Sequence, residues 1–485
     1  MSVRDLEPKA LWNHFADLNA VPRPSKKEER IIQFMLDFGN GLGLETKKDA
    51  IGNVVIYKPA TAGMESKETV ILQSHIDMVH QKNAATEFDF DSEGIRMRVE
   101  GDWVDADGTT LGADNGIGVA AIMAVLSSDT IEHPAIEAMF TIDEETGMTG
   151  AKELDASNFK GKILLNLDTE DDDELSIGCA GGIDTNTSYS YTQEQVPADY
   201  KTYQISVKGL LGGHSGMDID KGRGNANKIL TRMLYHLLGA LDFSLLSIDG
   251  GSLRNAIPRE ANAVIAVDKD QFELLNSQLH VIRKDIMKEF NKIEPELELS
   301  VSEVNYEGKA ASQADRNMIL NTLHGVHNGV FRMSPDIEGL VEASSSLARV
   351  VVENGKYETQ SLQRSSVESS KDDVANTVRS VFEAGGCAVV QSGDYPGWQP
   401  NPDSPILELM IQLYRERFKE EPQVKACHAG LECGILGKHL PGTDMISFGP
   451  NIRAAHSPDE KVQISSVQKF WGYFLEILQK IPESK

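Results

Sequence analysis

"AMFTIDEETGMTG", residues 138–150, runs an apolar segment into three consecutive acids, Asp143, Glu144 and Glu145, followed by a turn with Gly147 and Gly150. The apolar part reads as a buried strand. Unpaired carboxylates at the end of such a strand are costly, so something must compensate them. A bound cation is one answer. An acidic, solvated loop is the other.

The same pattern surrounds this stretch. The short apolar runs "GNVVIYK" (52–58), "TVILQSHIDMV" (69–79), "AIEAMFTI" (135–142) and "KILLNLD" (162–168) read as strands. "KALWNHFADLNAV" (9–21) and "SKKEERIIQFMLDFGNGLG" (25–43) have helical spacing, and Gly39 or Gly41 would end the second. "GIGVAAIMAVLSS" (116–128) suits a helix packed on a sheet. Strands alternating with helices predict a layered α/β domain, whose ligands collect where strands end. Near residue 185 the texture changes. "DTNTSYSYTQEQVPADYKTYQISVKGL" (184–210) reads as antiparallel strands. Further on, 250–286 places an Asn-containing turn and a strand before a helix and 342–382 runs strand, strand, helix, so a duplicated α+β unit is one expectation and mere recurrence of a common pattern the other. "SGDYPGWQPNPDSP" (392–405) then breaks the chain before helices return. The domain expectation is a first part at 1–185, an inserted lid at 186–392 and the remainder of the first domain at 393–485.

Composition bounds the function. There are 74 acids against 47 bases in 485 residues, a net charge of −27. That argues against a nucleic-acid surface. The first residues lack the apolar core of a signal peptide, and no apolar run is long enough for a bilayer. Four scattered cysteines do not make a disulfide framework, so a cytoplasmic setting is expected.

The chemistry lies in residues at strand ends. His75 and Asp77 are two apart, so on a strand they face the same way, and an acid so placed can orient the imidazole. Asp114 lies in the Gly-rich turn "GADNG", Asp168 after its apolar run, His456 in "AAHSPDE". Imidazoles mixed with carboxylates suit zinc, cobalt or manganese better than calcium. Two metals sharing one carboxylate need about two further protein ligands each. His75, Asp114, Glu145, Asp168 and His456 meet that count, leaving Glu144 for proton transfer and Asp77 for orientation. Each residue also has a plainer reading: a packed histidine, a helix cap, a solvated acidic face. His80 is given no ligand role. Cys427, His428, Glu432 and Cys433 lack zinc-finger spacing.

"SHIDMV", "GADNGIG", "DEETGMTGA", "NLDTE", "GLLGGHSGMDI" and "AAHSPDE" resemble, in order and character, the co-catalytic zinc peptidases that include carnosinases, aminoacylases and some carboxypeptidases. The absence of a Pro soon after "HID" favours the histidyl-dipeptidase branch. The resemblance implies an α/β catalytic domain with a mixed sheet, interrupted by an α+β lid, and two zinc ions, for which cobalt or manganese can substitute. Asp114 is then the bridging ligand, with His75 and Asp168 on one metal and Glu145 and His456 on the other. Glu144 is the general base and Asp77 steadies His75. The Asp114–Asn115 bond is a candidate for cis. His214 resembles the lid histidine that polarises the scissile carbonyl, and Asn255, Arg364 and Gly430 sit where relatives shape the substrate pocket. The implied reaction is hydrolysis of dipeptides, Xaa-His such as β-alanyl-L-histidine (carnosine) above all. A homodimer is expected by analogy, although the long lid offers a way to supply lid groups within one chain. Aminoacylase or carboxypeptidase activity is the nearest rival. A carboxylate-pair glycosidase and a non-catalytic metal-binding protein are rivals of other classes.

Overall fold

The structure is a computed structural model and describes residues 2–484. It divides into two compact units: residues 1–178, 400–426 and 431–485 form the first, and residues 179–399 and 427–430 the second.

In the first unit, helices α1 (Lys9–Asn19) and α2 (Glu29–Gly41) precede strands β1 (Glu45–Lys48), β2 (Val54–Lys58) and β3 (Val70–His75). Helix α3 (Ala113–Ser127) follows, then β4 (Ile136–Thr141), β5 (Ile163–Asn166) and β6 (Glu174–Cys179).

The second unit is an antiparallel sheet covered by helices. Its elements are β7 (Gly181–Ser190), β8 (Tyr200–Lys208), α4 (Ala226–Leu238), β9 (Ser244–Gly250), β10 (Ala261–Asp268), α5 (Phe272–Phe290), β11 (Glu298–Glu303), α6 (Gln313–Gly325), β12 (Val341–Glu353), β13 (Lys356–Ser365), α7 (Glu368–Ala384) and β14 (Ala388–Tyr395). The strand order is β11-β8-β10-β9-β12-β13-β7-β14, with a short strand, Gly329–Met333, paired to β12. One plan occurs twice. β8-α4-β9-β10-α5-β11 is a strand–helix–strand–strand–helix–strand unit with its first strand between its third and fourth. β7-α6-β12-β13-α7-β14 repeats that order, with the first copy inserted after its opening strand. The copies join where β9 pairs antiparallel with β12, Ile248 opposite Val352. Of the look-alike segments, 342–382 holds the hairpin and following helix of its copy, whereas 250–286 holds the last residue of β9, then β10 and most of α5. One apolar core unites them, with Leu230 and Leu234 of α4, Leu275 and Leu279 of α5, Ile319 of α6 and Phe382 of α7 all buried.

The chain then returns to the first unit through α8 (Pro405–Phe418), β15 (Gln423–Cys427), α9 (Glu432–His439), β16 (Asp444–Ser447) and α10 (Ile464–Lys480). That unit's main sheet has the order β1-β2-β4-β3-β5-β16-β6-β15. Its centre is parallel: β3 pairs with β4 and β5, and β5 with β16. Both β3 and β4 are buried along their whole length, as expected of strands covered on both faces. The parallel centre gathers the carboxyl ends of β3, β4 and β5 at one edge. Among the described residues no helix is long and apolar enough to cross a membrane.

Candidate active site

Three strand ends and two loops build one cluster in the first unit. His75 is the last residue of β3, Glu144 and Glu145 follow β4, and Asp168 follows β5. Asp114 enters from the first turn of α3, where Gly112 in left-handed conformation precedes the helix and the Asp114–Asn115 bond is cis. His456 comes from the loop before α10 and itself holds a φ of 65°, a region that side-chain-bearing residues enter rarely.

The distances order these residues around Asp114. Its Oδ1 lies 3.1 Å from His75 Nε2 and its Oδ2 lies 3.1 Å from His456 Nε2. His75 Nε2 is also 3.5 Å from Asp168 Oδ1. His456 Nε2 is 2.9 Å from Glu145 Oε2. Three sets of donor atoms therefore converge within 4.8 Å: His75, Asp114 and Asp168; Asp114, Glu145 and His456; and His75, Glu144 and Glu145. Two of these sets share Asp114.

Supporting residues hold the ligand loops. Asp77 is fully buried. Its Oδ1 sits 3.3 Å from His75 Nδ1 and accepts the Glu144 N–H at 3.1 Å, while Oδ2 accepts from Ser25 Oγ at 2.7 Å and from the Glu145 N–H at 3.3 Å. One carboxylate thus fixes both an imidazole and the turn carrying the two glutamates. Asp143, at φ 53°, tightens that turn by accepting from the Thr146 and Thr149 hydroxyls. Asn115 donates to Leu167 O at 2.6 Å and ties the Asp114 loop to the end of β5. Gly118 must be glycine at this crossing, because a Cβ there would meet Leu167 O at 2.5 Å and Ser74 Oγ at 2.6 Å.

Several of these supports left little trace in the sequence. Arg23, almost wholly buried, donates to Asp77 O at 2.9 Å, Ile76 O at 3.3 Å, Gly112 O at 2.6 Å and Asn19 Oδ1 at 3.0 Å. Glu460 accepts four consecutive backbone N–H groups, from Leu111, Gly112, Ala113 and Asp114, at 2.7–3.2 Å. It stands in "AAHSPDE", four residues after His456, where only the histidine drew a reading. Beneath the ligands lies a buried polar layer. Glu432 Oε2 accepts from Gln73 Nε2 at 2.7 Å and Thr141 Oγ1 at 2.8 Å, and Asn166 donates to Gln73. His80 is in none of the convergent sets and packs edge-on against Phe90.

The electrostatics show a deficit of positive charge. Burial raises Glu144 well above the usual carboxylate range and pushes Asp168 and Glu432 up to about 6 and 7. Burial acts the same way on Asp114, but hydrogen bonds from His456 and His75 win and hold it far below that range. Hydrogen bonds to Asp114 and Glu145 drive His456 up to about 11. For His75, burial works downward, yet the surrounding acids, Asp168 first, leave it well above its ordinary value. Glu145 Oε1 and Asp168 Oδ1 are buried with no hydrogen-bond partner. Orphaned carboxylate oxygens beside two imidazoles are the donor set of a metal centre with N/O ligands.

Residues 71–480 match peptidase family M20/M25/M40. The chain belongs to that family. It is 41% identical over 477 residues to the cytosol non-specific dipeptidase of Escherichia coli (strain K12), covering 98% of both chains. The solved structure of aminoacylhistidine dipeptidase from Vibrio alginolyticus superposes with a TM-score of 0.96 at 43% identity, over 100% of this chain and 99% of that one. Aminopeptidase PepT from Bacillus cereus shares the fold at 16% identity, TM-score 0.57, over 98% and 99% of the two chains.

This M20/M25/M40 peptidase carries a second cluster, in its other unit. His214 Nε2 lies 3.4 Å from Arg364 Nη2, and Arg364 Nη1 donates to the Tyr395 hydroxyl at 2.8 Å. Asn255 reaches the same loops through its backbone, accepting the Ser215 N–H at 2.8 Å. Gly430 lies under the Tyr395 ring, which a Cβ would meet at 3.1 Å. His428, buried, shares a 2.7 Å hydrogen bond with Ser344 Oγ. Tyr395 and His428 belong to this cluster without having been singled out as site residues from the sequence.

Proposed function

We propose that the protein is a metal-dependent dipeptidase that favours Xaa-His substrates, β-alanyl-L-histidine among them. The observation that carries the reading is Asp114, one carboxylate shared by two ligand sets. Full-length identity above 40% to two dipeptidases supports the substrate class. In this proposal His75, Asp168 and Asp114 hold one divalent cation, Glu145, His456 and Asp114 the other, and both are zinc. When bound, two such ions supply a strongly acidified water and polarise the scissile carbonyl.

The chain's own residues do the rest. Glu144 is the general base: it takes the proton of the attacking water and returns it to the leaving amine. Burial raises Glu144 above the usual carboxylate range, the direction that helps a group both take and return a proton. Asp77 fixes the His75 ring and the Glu144 backbone together. His214 and Asn255 contact the substrate, and Arg364 binds its free C-terminal carboxylate, which suits a planar fork of donors; the sequence resemblance supports these three roles. A cytoplasmic location is part of the proposal, supported by the word cytosol in the name of its Escherichia coli relative.

The test measures metal content per chain alongside hydrolysis of β-alanyl-histidine, other dipeptides, N-acetyl amino acids and tripeptides. The reading expects about two metal ions per chain, the count that a shared bridging carboxylate serves. It also expects dipeptides to be cleaved in preference to the rest. Full activity after thorough chelation, or a preference for N-acetyl amino acids, rules it out.

A further inference from the structure

Arg364 is a buried cation in the second unit. Among the described residues no carboxylate oxygen lies within ion-pairing distance of it. Asp184, which feels its charge, pairs instead with Arg254 at 3.3 Å. The neighbouring His214 accepts two backbone N–H groups on Nδ1, from Gly216 at 3.2 Å and Met217 at 3.0 Å. A neutral imidazole that accepts on Nδ1 carries its proton on Nε2. The 3.4 Å approach of His214 Nε2 and Arg364 Nη2 therefore brings two donors together. They do not bond each other, so each can donate to a substrate.

The guanidinium is aimed by Tyr395. Its hydroxyl oxygen accepts from Nη1, on the arm opposite the one that faces His214. Tyr395 is itself anchored. Its carbonyl accepts from Lys371 Nζ at 2.8 Å, and Lys371 is held in turn by Asp394 and Glu368 at 2.8 and 2.9 Å. Gly182 and Gly430 leave room for the ring, since a Cβ at Gly182 would come within 2.6 Å of the hydroxyl. A flexible arginine is thereby tied on one arm, leaving the other arm and Nε to a ligand. Nε is buried and has no hydrogen-bond partner among the described residues.

We infer that Tyr395 is a positioning residue that fixes the Arg364 fork for the free C-terminal carboxylate of the dipeptide. This rests on the reading that Arg364 binds that carboxylate. Without the phenol, Arg364 loses the one side-chain hydrogen bond it makes among the described residues and samples orientations that cannot reach the carboxylate. The cost then falls on substrates that carry the charge and spares those that lack it.

The experiment compares β-alanyl-histidine with β-alanyl-histidinamide in the intact, metal-loaded enzyme, for the wild type, Tyr395→Phe and Arg364→Ala. Tyr395→Phe should raise KM for the acid about tenfold, the worth of one charge-assisted hydrogen bond. It should leave kcat and the amide's kcat/KM within about a factor of two, since neither depends on that bond. Arg364→Ala should erase the preference for the acid. If Arg364→Ala erases it and Tyr395→Phe leaves the ratio untouched, or lowers both substrates equally, the role given to Tyr395 is wrong. If Arg364→Ala itself leaves the preference intact, the carboxylate reading of Arg364 is what fails.

Discussion

The two polar clusters are incomplete in opposite senses. In the first unit, Asp114, Glu144, Glu145 and Asp168 crowd around two imidazoles, and two buried carboxylate oxygens have no donor. In the second, Arg364 and His214 bring donors together with no acceptor between them. Buried groups left without partners cost free energy in both cases. Each deficit describes a ligand: divalent cations for the first, an anion for the second.

The largest test separates the ligands of the first cluster from its base. Glu144 adjoins Glu145 in sequence and shares a donor set with it and His75. Glu144→Gln should keep both metals and lose about 10²–10⁴-fold in kcat, as expected when a general base is removed. Metal analysis with steady-state kinetics checks it. A variant that loses a metal, or keeps more than about a tenth of kcat, well short of that loss, would move Glu144 among the ligands or out of the mechanism.

A smaller effect is expected one layer out. Asp77 accepts from Ser25 and from the Glu144 and Glu145 N–H groups, and faces His75. Asn in its place presents an NH2 group to those same N–H donors. Asp77→Asn should weaken metal binding about 10–100-fold, the usual loss when a partner of a ligating histidine is removed. Competition with a chelator of known affinity measures it. The Arg364 cluster lacks this support, so the acid-over-amide preference should survive in the metal-saturated variant.

The convergent cluster was legible in part: His75, Glu144, Glu145 and Asp168 end apolar runs, where a charged residue has no packing purpose, whereas Asp114 and His456 lie in polar loops. The parallel order of β3, β4 and β5 then delivers those ends to one edge. The duplication in the second unit left a fainter trace: 342–382 spells a hairpin and helix, 250–286 only a strand and helix. The supporting residues were not legible. Glu460 works on N–H groups almost 350 positions earlier, and Glu432 on Gln73 and Thr141, 359 and 291 positions earlier. Arg23 reads in sequence as an ordinary surface arginine beside two prolines, and only the fold puts the β3 exit and the Gly112 turn within its reach. Tyr395 ends an edge strand inside a Pro/Gly break and has no periodic or motif signal.

The pH dependence is the prediction that best opposes the two clusters. Without metal, the acids hold His75 and His456 protonated, His456 up to about 11. A metal takes only the neutral imidazole, so uptake at pH 7 must expel these protons. Metal affinity should therefore rise with pH, about tenfold per unit for each proton displaced. The slope should steepen below about pH 6, where Asp168 also carries a proton that uptake must remove. The second cluster has the opposite sign: burial and the Arg364 charge hold His214 below its ordinary value, so it stays neutral through this range. With metal saturating, KM for the dipeptide should then be nearly flat from pH 7 to 8 while metal affinity still climbs. Calorimetry of zinc binding in buffers of different ionisation enthalpy counts the expelled protons directly. Uptake with no proton release would mean that the carboxylates do not hold the histidines charged, and the contrast between an acceptor-rich and a donor-rich cluster would lose its electrostatic basis.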